Sequence, residues 1–167
     1  MSSLDPRTPV IVGAAAAGQR CANASEAVDV VALMEQAARS AAADAGSPSV
    51  LGELQWVAAT KGHARLSDPA RLVADRVGSP DAHTVLSDIG VLQTAPLREA
   101  ARLIATGALD TALVVGGETK YRSLRAQIDG VEIEEAAEPA GAAPDEHWVA
   151  GGDVISRAEI DFGLVHP

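Results

Sequence analysis

The chain has 167 residues, a length that suits one domain and allows a sizeable buried core. Its 13 basic and 23 acidic side chains give a net charge of −10, so it lacks the basic face that binds nucleic acid or an anionic membrane surface. Its one cysteine, Cys21, excludes an internal disulfide, and no apolar run approaches the roughly 20 residues of a membrane span. With no signal-like N-terminus either, we expect a cytoplasmic protein.

The first third of the chain alternates apolar runs with a helical pattern. The run 9–13 (Pro-Val-Ile-Val-Gly) predicts a buried strand of the parallel-sheet type. After a loop of small residues, a helix is expected over 25–45, with Asn23 and Glu26 as a capping box at its start. A second strand is predicted over 54–59.

The alternation continues through the middle of the chain. Asp68, followed by a proline, marks the start of a second helix. A third strand is predicted over 83–86, a third helix that runs to about Thr106, and a fourth strand over 111–115. This order predicts an α/β fold, a mainly parallel sheet with helices on both faces.

The sequence changes character after Tyr121. We expect residues 1–121 to form the α/β domain. Residues 122–167 are expected to be an acidic loop region that contains Gly, Ala and Pro, followed by a C-terminal tail.

Ligands of open parallel sheets bind at the carboxyl ends of the strands, so the loops after each strand are the candidate sites. The loop from Gly13 to Gly18 is not a GxGxxG fingerprint, and close packing is the preferred interpretation over nucleotide binding. Cys21, in the same loop, has no histidine near it in sequence, which favours an unreactive thiol over a nucleophile.

Further candidates follow the second strand. Lys61, His63 and Arg65 either contact an anionic ligand or form a solvated loop, and the solvated loop is preferred. His83 lies within a strand and is interpreted as structural. The remaining two histidines, His147 and His166, have no evident partner, and the spacing of His and Cys predicts no metal site.

The third strand–helix junction is the place where a nucleophile would gain most from a helix dipole. Ser87 and Asp88 are the reactive residue types there, but the sequence contains no Gly-x-Ser-x-Gly elbow. Capping of the third helix by Ser87 or Asp88 is the preferred interpretation.

Three stretches resemble the thiolase superfamily. Residues 7–13 are similar to its opening strand, and Thr84-Val85 with the turn that follows is similar to its third strand. Residues 104–119 carry the most specific match, "I-x-x-G-x-x-D" followed by "G-G-x-E". The resemblance covers roughly residues 7–121, and Gly163-Leu164-Val165 in the tail looks like the acetyl-CoA acetyltransferase-like branch.

The resemblance implies a five-layered α-β-α-β-α fold of two similar halves and acyl-CoA chemistry in lipid metabolism, with coenzyme A or acyl-CoA as ligand and no covalent cofactor. The thiolase nucleophile is a cysteine in a Cys-x-Ser-Gly turn before the third helix. Counting back from Ile104 in the matched stretch puts this cysteine position at Gly90, and counting forward from Thr84 puts it at Ile89 or Gly90. On the first count, Leu92 and Gln93 replace the Ser-Gly pair. No catalytic residue is therefore assigned. Pro96 predicts that the third helix begins late, near Thr94.

Because the resemblance covers the N-terminal half of a thiolase, it implies a partner, either a second copy or a chain with the other half, and pairing of residues 83–86 across a dimer. The leading hypothesis is a thiolase-like protein that is non-catalytic alone and acts as a scaffold or subunit. One alternative is part of an active acyl-CoA acyltransferase or aldolase completed by a partner chain. The other is a generic nucleotide-binding α/β module.

Overall fold

The computed structural model describes residues 5–152 and 155–163. Within these residues the chain forms a parallel sheet of four strands in the spatial order β3-β1-β2-β4. The expected α/β class with a parallel sheet is confirmed. The strands are β1 (Trp56–Thr60), β2 (His83–Ser87), β3 (Ala112–Gly116) and β4 (Glu146–Trp148).

Helices lie on both faces of the sheet, as expected. α1 and α2 pack against the face that carries Val57 and Ala59 of β1, whereas α3 packs against the face that carries Trp56 and Ala58. All four of these β1 residues are buried, because successive side chains of a central strand point to opposite faces and both faces are covered. The described helices are α1 (Val30–Asp44), α2 (Pro69–Val77), α3 (Thr94–Thr106), α4 (Lys120–Asp129) and α5 (Arg157–Asp161).

The first helix begins later than predicted. Asn23 caps a short 3₁₀ turn, Ala24–Glu26, through the main-chain N–H of Ser25, and no capping box with Glu26 forms. Asp29 is the N-cap of α1 and accepts from the main-chain N–H of Ala32. The prediction was wrong because Asp29, as good a capping residue as Asn23, comes immediately before the first buried turn of the helix.

The starts of the next two helices agree with the sequence. Asp68 caps α2 by accepting from the main-chain N–H of Arg71. α3 begins at Thr94, so Pro96 lies in the first turn, where its missing N–H costs no intrahelical bond.

The predicted first strand, residues 9–13, is wrong. The segment is irregular in the structure, and Val10, Ile11 and Val12 are 69%, 79% and 63% exposed. Its main chain makes no hydrogen bond to any other described residue. An apolar β-branched run favours extended backbone, but a strand forms only where another strand offers its edge, and here a groove separates the segment from β3.

Three described elements, α4, β4 and α5, lie beyond the predicted alternation. α4 crosses the expected boundary at residue 121, and β4 pairs in parallel with residues 85–87 of β2. The pairing of residues 83–86 across a dimer is therefore corrected: β4 of the same chain occupies that edge. Within the described ranges, no helix is long and apolar enough to cross a membrane.

Candidate functional site

The carboxyl ends of three strands bring together a cluster of charged side chains. Lys61, after β1, places its Nζ 3.4 Å from Oδ1 of Asp88, which follows β2. His147 of β4 places its Nε2 3.5 Å from the other oxygen of Asp88. Partial burial raises the pKa of the Asp88 carboxyl, but the main-chain N–H of Ile89, Lys61 and His147 outweigh it and hold the pKa below 3.8. Asp88 is thus an anion that ties three strand ends together.

The turn after β2 is the position where a thiolase-like nucleophile is expected. Gly90 lies there with a φ of +95°, a backbone conformation that suits glycine, and Ile89 is half-exposed beside it. Neither side chain can form an acyl bond. The turn is held by Asp88, which accepts from the main-chain N–H of Ile89 and through its own carbonyl from that of Val91.

Ser87 and Asp88 do not cap α3, so that interpretation is wrong. α3 begins six residues beyond Asp88, and its N-cap, Gln93, makes no side-chain capping bond. Ser87 belongs to β2, and its buried hydroxyl has no hydrogen-bond partner in the described part of the chain. The shift follows from Pro96, which moves the helix start to Thr94 and leaves a turn between strand and helix.

His63 and Glu118 form a closer pair across the loops that follow β1 and β3. The Nδ1 atom of His63 lies 2.7 Å from Oε2 of Glu118, and the main-chain N–H of His63 donates to the same oxygen at 2.9 Å. Oε1 of Glu118 accepts from the main-chain N–H of Thr119 at 2.8 Å. Burial alone would raise the pKa of Glu118, but these hydrogen bonds lower it below 4.5, so the carboxylate stays ionised at neutral pH.

The glycines before Glu118 explain why the most specific sequence motif has this form. A Cβ at Gly116 would overlap the side-chain oxygen of Thr60 on β1. A Cβ at Gly117 would lie 2.9 Å from Cγ of Met34 in α1. The two glycines let β3 and its loop lie close to β1 and α1, and this approach places Glu118 within reach of His63.

The Gly13 end of the loop from Gly13 to Gly18 does not have the surroundings of a phosphate site. A Cβ at Gly13 would overlap the carbonyl oxygen of Ala41 in the penultimate turn of α1, and the main-chain N–H of Ala14 donates to the Asp44 carboxylate. A helix C-terminus and a carboxylate both repel an anion. At Gly13 the structure thus agrees with close packing, which the sequence favours over nucleotide binding.

Cys21 lines a cavity of about 330 Å³ with side chains of α4. Arg122, in the same wall, is 6% exposed and donates to the carbonyl oxygens of Ala27 and Glu134 and to the Glu135 carboxylate. Each of the three guanidinium nitrogens makes one of these bonds, so Arg122 holds α4 to two other segments.

The sheet is open along β3. Between β3 and segment 9–13 lies a groove of about 550 Å³, whose floor is formed by α1 and α3. Leu97 of α3 is half-exposed in this groove, whereas Ala100 is buried against the sheet. We call this the β3 groove.

The structure assembles contacts that sequence reasoning missed. Nothing in the local sequence links His63 to Glu118, which are 55 residues apart. The sequence does show that Glu118 and His63 each follow a strand. Because the carboxyl ends of neighbouring parallel strands lie at the same edge of a sheet, their proximity could have been predicted from this. His166, Leu164 and Val165 lie outside the described residues. Within them, no group of three or more His, Cys, Asp or Glu side chains could hold a metal ion.

No protein-family model and no curated protein matches the chain. Several solved structures do match. A monomeric SCP2-thiolase-like protein type 1 from Mycobacterium smegmatis is 35% identical, with a TM-score of 0.58 over 69% of this chain and 24% of that one. OleA from Xanthomonas campestris with bound cerulenin is 24% identical, with a TM-score of 0.51 over 61% and 31% of the two chains. OleA with bound lauric acid and lauroyl-CoA is 26% identical, with a TM-score of 0.49 over 60% and 32%.

The likeness to the SCP2-thiolase-like protein confirms the predicted resemblance to the thiolase superfamily. The α/β fold of the described residues is shared with both proteins. The chain spans between about a quarter and a third of the length of each of these structures.

Proposed function

We propose that this thiolase-like chain is an acyl-CoA-related protein of lipid metabolism that has no thiolytic or condensing activity of its own and acts as a scaffold or subunit. The observation that carries the proposal is the turn after β2. The resemblance puts the thiolase cysteine at Gly90, or at Ile89 when counted from Thr84, and neither residue is a nucleophile. The hydroxyl of Ser87, the last residue of β2, is buried.

The charged side chains at the strand ends also support a chain without thiolytic or condensing activity. In a thiolase-like mechanism a thiolate attacks the thioester, and a thiolate is stabilised by positive charge nearby. Here Lys61 and His147 face the carboxylate of Asp88 instead, so the cluster is already neutralised. It fits a structural tie between strand ends better than an anion-stabilising site.

The β3 groove supports a role as one part of an assembly. One wall is the edge of β3, which pairs on its other side with β1 and with no further strand in residues 5–152 and 155–163. The other wall presents Val10, Ile11 and Val12, which are exposed and apolar. An uncovered strand edge beside an apolar wall invites pairing with another chain. We propose that a second copy or a chain with the other thiolase half covers it.

Coenzyme A or acyl-CoA is the ligand class that the resemblance supports. One of the OleA structures holds lauroyl-CoA, which is a property of that protein. For this chain, acyl-CoA binding without acyl transfer is a proposal. Calorimetric titration with acetyl-CoA, coenzyme A and a nucleotide side by side should show heat for the first two. Heat with the nucleotide alone would favour a nucleotide-binding module instead.

Incubation with acetyl-CoA followed by intact mass measurement tests the absence of acyl transfer. We expect the unmodified mass after incubation and after quenching in acid. The variant Cys21→Ser is the matched control, because it removes the chain's one thiol. A stable acetyl adduct on the unaltered chain would contradict the proposal, and its loss in Cys21→Ser would assign it to that thiol.

Native mass spectrometry of the purified chain and of complexes recovered with it tests the assembly. We expect a dimer or a complex with a second chain. If such a complex showed acyl-transfer or retro-aldol activity, the alternative of an enzyme completed by its partner would replace the scaffold. A chain that stays monomeric and leaves no complex would contradict the subunit role.

A further inference from the structure

The His63–Glu118 pair differs from the other two histidine–carboxylate pairs that the structure describes. His83 faces carboxylates with both ring nitrogens, at 3.0 Å to Glu146 and 3.9 Å to Asp145. His147 approaches Asp88 at 3.5 Å, too far for a hydrogen bond. His63 has its Nδ1 in a short bond to Glu118, while its Nε2 has no hydrogen-bond partner among the described residues.

This arrangement fixes the tautomer of the His63 ring. The pKa of Glu118 is lowered, so its carboxylate can only accept a proton donor and holds the hydrogen on Nδ1. The lone pair of Nε2 is then free to take a proton. A ring held through one nitrogen by a carboxylate, with the other nitrogen free, is the geometry of a general base.

His63 and Glu118 line a cavity of about 330 Å³ between the loops after β1 and β3. Two cations, Arg65 and Lys120, line it as well, and neither forms an ion pair with a described residue. Glu135 is the remaining acid in the wall, and it is engaged by Arg122. The volume lies within the range of small-molecule sites.

The rest of the wall is suited to an acyl group. Val30, Leu66 and Ala136 provide an apolar surface, large enough for a short chain. Lys120 is also the first residue of α4, so its main-chain N–H is one of the donors that an α-helix leaves without an intrahelical partner. Such donors and a nearby ammonium stabilise the oxyanion that forms when a carbonyl is attacked.

We propose that this cavity is a hydrolytic site for short-chain activated acyl esters, with His63 as the general base and Glu118 as the residue that positions it. The site goes beyond the proposed function, because it needs neither a cysteine nor a partner chain.

The chemical step uses water as the nucleophile. The water oxygen forms a bond to the acyl carbonyl carbon while Nε2 of His63 takes one of its protons. Collapse of the tetrahedral intermediate breaks the bond to the leaving group, which departs with the electron pair. Collapse leaves a carboxylic acid, which releases its remaining proton to solvent and becomes a carboxylate, and the leaving-group anion. The proton on the imidazole also passes to solvent.

Hydrolysis of p-nitrophenyl acetate by the full chain, followed as release of p-nitrophenolate, tests this site. We expect turnover that is slower in D₂O than in H₂O, because a proton moves in the transition state. His63→Gln should lower the rate by about 100-fold, the usual contribution of a general base. Glu118→Gln should lower it less and change the pH profile, because the amide can still accept from His63 but carries no charge.

His83→Gln and His147→Gln are the matched controls, since both remove a histidine that faces a carboxylate. They should keep the wild-type rate, and circular dichroism should show that all four variants are folded. If His63→Gln keeps the wild-type rate, or if either control loses as much as His63→Gln, the proposal is overturned. A rate equal in H₂O and D₂O would also overturn it, since it would point to direct attack by a surface imidazole. None of these outcomes bears on the acyl-adduct test of the proposed function.

Discussion

The two edges of the sheet are built differently although they are only three strands apart. At one edge, β4 pairs with β2, and Asp145 just before it accepts from the main-chain N–H and hydroxyl of Thr84 and from Arg71. At the other edge, β3 faces the β3 groove, and segment 9–13 lies across it without pairing. Both end strands pair on one side only within the described residues. They differ in how they are fixed: the β4 edge, which we call the closed edge, is held by polar contacts within the chain, whereas the β3 edge, which we call the open edge, presents apolar side chains to solvent.

This difference indicates which contacts contribute most to the free energy of unfolding of the isolated chain. At the closed edge, main-chain pairing and side-chain hydrogen bonds together attach β4 to β2. At the open edge, apolar side chains are present but remain exposed to solvent, so they contribute little to stability. Substitutions should therefore be costly near β2 and β4 and nearly free near residues 9–13.

The largest effect is expected for Asp68→Ala. Asp68 is 3% exposed, caps α2 through Arg71, and accepts from the hydroxyl of Thr84 at 2.9 Å. Loss of the cap and of a buried hydrogen bond should lower the free energy of unfolding by about 3 kcal/mol. Urea unfolding measures this loss, with Asp75→Ala, which removes an exposed carboxylate, as the control. Similar losses of unfolding free energy in the two variants would contradict the role of Asp68.

The next largest effect is expected for Trp148→Ala in β4. The Trp148 ring packs against Trp56 of β1 with centroids 6.2 Å apart. Removing it should lower the free energy of unfolding by about 2 kcal/mol, because apolar area and an aromatic pair are lost together. The adjacent Val149, which is exposed, provides the matched control, and equal losses at both positions would show that β4 is not packed on the sheet.

A smaller, pH-dependent effect is expected at Asp145. The main-chain N–H of Thr84 is the main cause that lowers the pKa of this carboxyl below 3.8, burial opposes it, and the Thr84 hydroxyl, His83 and Arg71 add to it. A lowered folded-state pKa contributes stability that is present above 3.8 and is lost as the pH falls through the folded value.

Asp145→Asn should therefore be less stable than the unaltered chain near neutral pH, and the difference should shrink as the pH falls below 3.8. Denaturant midpoints at several pH values measure it, with Asp75→Asn as the control for loss of one negative charge. A difference that does not change with pH would show that Asp145 contributes no charge-dependent contact.

The smallest effect is expected at the open edge. Ile11 is 79% exposed, so Ile11→Ala should change the free energy of unfolding by no more than about 0.5 kcal/mol. Val57→Ala, a matched truncation in the buried strand β1, should cost about 2 kcal/mol. Ile11→Ala should instead weaken any complex that covers the β3 groove. Equal costs at Ile11 and Val57 would mean that segment 9–13 is packed in solution.

The contrast between the two edges also explains which strands can be predicted from the sequence and which cannot. β1, β2 and β3 are buried apolar runs bounded by turns, so their composition alone locates them to within two residues. Segment 9–13 has the same composition but no strand beside it. Composition reports a preference for extended backbone, and it carries no information on whether a neighbouring edge is available.

β4 is the reverse case. Its three residues, Glu146–Trp148, have no apolar run, so no local signal marks them as a strand. They join the sheet because Asp145 bonds to Thr84, 61 residues away in sequence. The candidate site is likewise predictable only in part. His63 can be identified because it follows a strand. Its hydrogen bond to Glu118 cannot, because it depends on how the loops after β1 and β3 meet.

Amide hydrogen exchange of the isolated chain tests the contrast between the two edges most directly. We predict that residues 85–87 of β2, paired on both sides, exchange slowly, whereas residues 10–12 exchange at the rate of an unstructured peptide. The outward amides of β3 should exchange faster than those of β2. Protection of residues 10–12 equal to that of β2 would contradict the account, because it would show that the chain closes this edge by itself.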